Sequence, residues 1–148
     1  MHYTKIRLSA LLRNLIHNVK FVNMSNVNPH KPTGLRRLVN ALSYSLSGLL
    51  LAWQDEAAFR QEIILAIVLV PVAFMVPVGL TQRVLLVASV MLVLVVEMIN
   101  SAIEATVDRI SLDIHPLAKR AKDMGSAAVL LALTNAILTW IMILWSMG

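Results

Sequence analysis

The chain has 148 residues, 58% hydrophobic and 14% charged, a balance that excludes an ordinary soluble globular domain and makes lipid the solvent to reason with. It has no cysteine, which excludes disulfides and thiolate metal sites. The formal charge of +5 is not a nucleic-acid footprint, because the basic residues flank apolar runs instead of interleaving with aromatics; the expected partner is a membrane surface.

In chain order, residues 1–33 read as a basic N-terminal extension and 34–148 as a membrane domain. The first 23 residues carry Lys5, Arg7, Arg13 and Lys20 but no apolar core of signal-peptide length. Two readings stand for them. Ile6, Leu8, Leu11, Leu12, Leu15, Ile16 and Val19 can form one face of a basic amphipathic helix on the membrane, or the segment is a leader ahead of a start at Met24, before the polar stretch Ser25 to Pro32. From Leu35 to Trp53 apolar residues recur every three or four positions, predicting an amphipathic helix on the inner surface, weakened or bent at Gly48. Three spans follow, about 62–80, 83–107 and 126–145, each near the ~20 helical residues that cross a ~30 Å hydrocarbon core. Pro71 and Pro77 predict a kink or an early end in the first span. The short connection from Pro77 to Arg83 makes the first two spans antiparallel neighbours. The fold class is all-α, a three-span bundle with a surface helix.

Lysine and arginine set the orientation. Eight precede the first span (5, 7, 13, 20, 31, 36, 37 and 60), four lie between the second and third (109, 119, 120 and 122), and only Arg83 lies between the first and second. Cytoplasmic loops retain positive charge, so the N-terminus and the 109–122 loop are expected in the cytoplasm and the C-terminus outside.

Against this apolar background, Glu97, Asn100, Ser101, Glu104 and Asp108 follow at spacings of 3, 1, 3 and 4, which puts them on one face of the second span. The bland reading is hydrogen-bonding glue between helices, which suits Asn100 and Ser101. Two glutamates fit it badly, because an intramembrane carboxylate costs several kcal/mol unless paired or hydrated, and so marks a site. Glu56, Arg60 and Glu62 stand at the entry to the first span, with Glu56 and Arg60 spaced for an i, i+4 ion pair. Asp113, His115, Lys119, Arg120, Lys122 and Asp123 line the loop into the last span, where a purely topogenic loop competes with a functional one. All three clusters reach the same inner boundary of the membrane. Carboxylates there can hold a divalent cation and basic groups can hold phosphate, a constellation suited to phosphoryl transfer. With glycine only at 34, 48, 79, 125 and 148, there is no P-loop and no G-x-G-x-x-G.

The runs Glu56-Ala57-Ala58-Phe59-Arg60-Gln61-Glu62, Glu97-Met98-Ile99-Asn100-Ser101-Ala102-Ile103-Glu104 with Asp108-Arg109, and Arg120-Ala121-Lys122-Asp123-Met124-Gly125-Ser126-Ala127-Ala128-Val129 resemble the prokaryotic diacylglycerol kinases. The likeness runs from about Gly34 to the end. It implies a homotrimer in the bacterial inner membrane with active sites shared between subunits, and ATP, Mg²⁺ and diacylglycerol as reaction partners. Phosphatidic acid made in phospholipid recycling is the implied product. By resemblance Glu97 is the general base on the lipid hydroxyl, and Glu56 and Glu104 are the metal ligands, which also touch ATP. Arg37, Tyr44, Asp113, Ile114, His115, Lys122 and Asp123 resemble the other nucleotide contacts. Arg37, Trp53, Ala58, Phe59, Arg60, Gln61, Glu62 and Ser126, with Glu97, resemble the lipid contacts, and Asn100 resembles a partner that orients the carboxylates.

The chain departs from the family pattern at Leu46, Ser47 and Leu50, where an aromatic, a lysine and an arginine are common, at Asp113, where glutamate is usual, and at Pro116, where an acidic residue is common. An undecaprenol kinase of the same family is the alternative within this chemistry, and the Glu56 to Glu62 run looks like the diacylglycerol type. A non-catalytic membrane scaffold is the alternative outside it.

Overall fold

The structure, a computed structural model, describes residues 34–110 and 115–147. The chain divides into two compact units, one up to Leu51 and one from Ala52 onward. In the first, Gly34 takes a left-handed φ of 68°, a conformation glycine adopts without strain, and its carbonyl accepts from the amides of Arg37 (3.1 Å) and Leu38 (3.4 Å) to start a helix. That helix, α1, runs Leu35–Asp55. It passes through Gly48 without a break, and Leu35, Leu38, Val39, Leu42, Leu46 and Leu49 are exposed along it.

The second unit holds the end of α1 and three helices: α2, Ala57–Met75; α3, Leu80–Ile110; and α4, Pro116–Trp145. All three are long and apolar enough to cross a membrane. α2 is shifted as a whole, beginning and ending earlier than the expected 62–80. It continues through Pro71 and stops at Met75, with Val76 extended at φ −68°, ψ 133°, the region imposed on a residue that precedes proline. The Gly79 amide donates to Gln82 Oε1 (3.0 Å), half of a capping box that opens α3. α4 starts ten residues ahead of the expected 126, with Pro116 in its first turn and His115 Nδ1 accepting from the Leu117 amide at 3.2 Å.

Contacts fix the up-down-up order. Ala73 near the end of α2 meets Leu86 near the start of α3 and Ile143 near the end of α4, with Val78, Val87 and Trp140 packed around them. At the other end Asp108 of α3 reaches Lys122 of α4. Rising numbers on α3 thus meet falling numbers on both neighbours, and α3 is the central helix. Its inward face is for that reason covered from both sides, from Leu86 to Asn100.

Candidate active site

α1 and α2 are separated by one extended residue, Glu56, at φ −104°, ψ 115°. Glutamate is a poor N-cap, being too long to fold back on the first turn, and Glu56 makes no side-chain capping bond. Its carboxylate is therefore available for other work. The expected ion pair with Arg60 does not form: among the described residues the ion pairs are Lys122–Asp108 and Lys119–Asp123, both 2.6 Å. Arg60 Nη1 instead donates to the carbonyls of Trp53 (3.0 Å) and Gln54 (2.9 Å). These oxygens end α1, have no helical partner and carry the negative end of its dipole, so they draw the guanidinium away from Glu56.

On α3 the predicted polar face is present and burial grades along it. Glu97 is 4% exposed and Asn100 9%, whereas Glu104 is half-buried and Asp108 exposed. Glu97 lies within electrostatic reach of both Glu56 and Glu104, and Glu62 within reach of Glu97. Within one chain Glu97 thus has Glu56, Glu62 and Glu104 around it. Asn100 Nδ2 donates to Glu104 Oε1 at 3.2 Å, fixing one carboxylate oxygen and leaving the other open. Glu62 Oε2 and Ser101 Oγ are buried without a hydrogen-bond partner.

Among the described residues no group of three or more His, Cys, Asp or Glu is placed to hold a metal ion unaided. That donor set still fits one ion type. Mg²⁺ sheds water reluctantly and is commonly bound through one or two carboxylates plus substrate phosphates, so Glu56 and Glu104 suit an ion that arrives with a nucleotide.

α4 supplies the basic side. Lys122 is held by Asp108, and Asp123 by Lys119. His115 caps the helix through Nδ1, which leaves Nε2 as its free nitrogen. Ser126 is exposed. Asp113 and Ile114 lie outside the described residues. Arg37 and Tyr44 stand exposed on α1 in the first unit.

The stretch expected on the lipid side divides by helix face. Ala58 and Gln61 are exposed, Trp53 is 41% exposed, and Arg60 is engaged as above. Phe59, at 1% exposure, is a core residue instead, because it falls on the face of α2 that turns into the bundle. Glu62 opens onto a cleft of about 320 Å³ between the three spans, apolar except at its two ends, Glu62 and Trp140. Trp140 Nε1 is buried there without a partner.

Sequence reasoning missed Gly125. It is buried on α4, and a methyl group there would overlap Asn100 Oδ1. The available signal was a glycine inside a helix, which costs about 1 kcal/mol relative to alanine and so needs a reason.

Comparison with known proteins identifies the family. Residues 43–144 match the family model described as prokaryotic diacylglycerol kinase, a stretch that contains every carboxylate above and begins after Arg37. The chain is 57% identical over 112 residues to a diacylglycerol kinase of Pseudomonas aeruginosa, covering 76% of this chain and 91% of that one. It is 54% identical over 114 residues to the diacylglycerol kinase of Escherichia coli K12, covering 77% and 93%. It is 46% identical over 112 residues to one of Helicobacter pylori, covering 76% and 88%. The chain belongs to the prokaryotic diacylglycerol kinase family.

Proposed function

We propose that the protein is a membrane-embedded diacylglycerol kinase that moves the γ-phosphoryl group of Mg-ATP to the free hydroxyl of 1,2-diacylglycerol, giving phosphatidic acid and ADP. The carrying observation is Glu97, a carboxylate buried at 4% exposure in a membrane-length helix, within electrostatic reach of Glu56 and Glu104. So costly a group needs a reaction to explain it.

Glu97 accepts the hydroxyl proton as the lipid oxygen forms its bond to the γ-phosphorus and the bond to the β-γ bridging oxygen breaks, the electron pair leaving with ADP. Bound Mg²⁺ supplies charge neutralisation on the phosphate oxygens. Glu56 and Glu104 hold that ion, and Asn100 orients Glu104 for it. Lys122, Asp123, His115, Asp113, Ile114, Arg37 and Tyr44 bind the nucleotide. Lys122 exchanges Asp108 for a phosphate oxygen in doing so, and His115 offers Nε2. Trp53, Ala58, Gln61, Glu62 and Ser126 face the lipid, and Phe59 and Arg60 support them from the core and the end of α1.

The same reading makes the protein a homotrimer of the bacterial inner membrane with sites at subunit boundaries. α1 lies on the cytoplasmic surface through its exposed leucines, and the C-terminus is periplasmic. Undecaprenol as acceptor would use identical phosphate chemistry; the diacylglycerol-type run Glu56 to Glu62 and the names of the relatives support diacylglycerol. The test is purified protein with labelled ATP, Mg²⁺ and either lipid. Labelled phosphatidic acid is expected. Label only in undecaprenyl phosphate would move the substrate, and label in neither lipid would favour a scaffold.

A further inference from the structure

We infer that Gly125 is a positioning residue, whose missing side chain lets α4 press against Asn100 so that the carboxamide holds Glu104. The inference rests on the proposed role of Glu104 at the nucleotide's metal ion. A glycine inside a helix is unfavourable, and Gly125 does not use glycine's conformational freedom, since among the described residues only Gly34 has a positive φ. What it provides is room. A Cβ at 125 would overlap Asn100 Oδ1 and stand 3.3 Å from Asn100 Cγ, closer than a van der Waals contact allows without movement.

The side chain so confined is one that matters. Asn100 is 9% exposed, its Nδ2 donates to Glu104 Oε1 at 3.2 Å, and its Oδ1 is buried against Gly125 without a hydrogen-bond donor. Among the described residues nothing bonds that oxygen, so the glycine backbone is the wall that sets the carboxamide plane.

A methyl group at 125 has two ways out, and both reach the site. If Asn100 swings aside, Nδ2 leaves Glu104. If the helices separate instead, the Lys122–Asp108 bridge across the same interface stretches from its 2.6 Å. A larger residue is thus felt first at the carboxylate face and not in general packing.

The test is a double-mutant cycle of Gly125→Ala and Asn100→Ala, read by calorimetry of ATP binding across a Mg²⁺ titration in detergent. Removing a group that orients a metal ligand typically costs 10- to 100-fold in metal affinity, so each single variant should require about tenfold more Mg²⁺ for half-maximal ATP binding. Because Asn100→Ala leaves nothing for the added methyl to displace, the double variant should bind no worse than Asn100→Ala alone. Losses that multiply, or a Gly125→Ala protein that binds normally, would overturn the inference. Should Gly125→Ala fail to fold, the double variant must recover folding, and its failure to do so is also fatal. Binding is read without a lipid acceptor, so if neither lipid is phosphorylated the proposed function falls while this cycle still decides the role of Gly125. Absence of Mg-ATP binding by the unaltered protein would sink both.

Discussion

Glu97 and Glu104 are seven positions apart on one helix face, and the different work proposed for them suits their different surroundings. Glu97 is closed off at 4% exposure, suited to taking a proton where water does not compete, whereas half-buried Glu104 has one oxygen fixed by Asn100 and one free for a ligand. Glu97→Gln should therefore bind Mg-ATP almost normally while turnover falls by about 10² to 10⁴, the usual value of general-base assistance. Glu104→Gln removes a negative oxygen from a hard cation, so ATP binding should weaken and be partly restored by raising Mg²⁺. ATP affinity and turnover across a Mg²⁺ titration check both; a Mg²⁺-rescuable defect in Glu97→Gln alone would reverse the assignments. At this scale the sequence was most legible where a residue violated its surroundings, as every carboxylate of the second span did. It was least legible where the partner was backbone. Spacing pairs Arg60 with Glu56, but helix-end carbonyls carry no letter in the sequence, and they won.

Among the elements, apolar run length found three spans, and boundaries depended on chemistry that run length does not weigh. α4 gained ten residues because His115 and Pro116 open a helix that the charged residues 119–123 then continue, a stretch that hydropathy alone assigns to a loop. α2 lost its outer turn to Pro77. The turn left behind is held by Arg83, in the first turn of α3, whose Nε donates to the Ala73 carbonyl (3.3 Å) and whose Nη2 donates to those of Val76 and Val78 (3.4 Å each). Its guanidinium also stands 6.0 Å from the centre of the Phe74 ring. These oxygens give Arg83 a local structural role at the turn. The bonds are long, so Arg83→Ala should cost about 1 to 2 kcal/mol, the low end for charged donors. A fall in the midpoint of thermal unfolding in detergent, with Mg-ATP binding unchanged, is the expected result; an unchanged midpoint would show that the turn holds itself.

At the scale of the whole molecule the family-matched stretch and the N-terminal residues separate. The family match begins at residue 43, and every group placed at the site other than Arg37 lies beyond it, so deleting residues 1–23 should leave turnover within about threefold, a change worth less than 1 kcal/mol. A hundredfold loss would make that segment part of the site or its anchor. The division of labour between subunits is a sharper question. A single chain already brings Glu97 within electrostatic reach of both Glu56 and Glu104, because α3 is central and α2 begins beside its charged end. Subunits can share a site without sharing these three groups. Glu56→Gln and Glu97→Gln chains, each inactive alone and differently tagged, should therefore remain inactive when mixed and reassembled, since every carboxylate set then carries one defect. If the two groups came from different chains, one boundary in each doubly tagged trimer would pair an intact Glu56 with an intact Glu97, restoring about a third of the sites. The measurement is turnover of co-purified mixed oligomers, selected by both tags in succession. Recovery toward that third would place the base and the metal ligand on neighbouring subunits and overturn the single-chain arrangement.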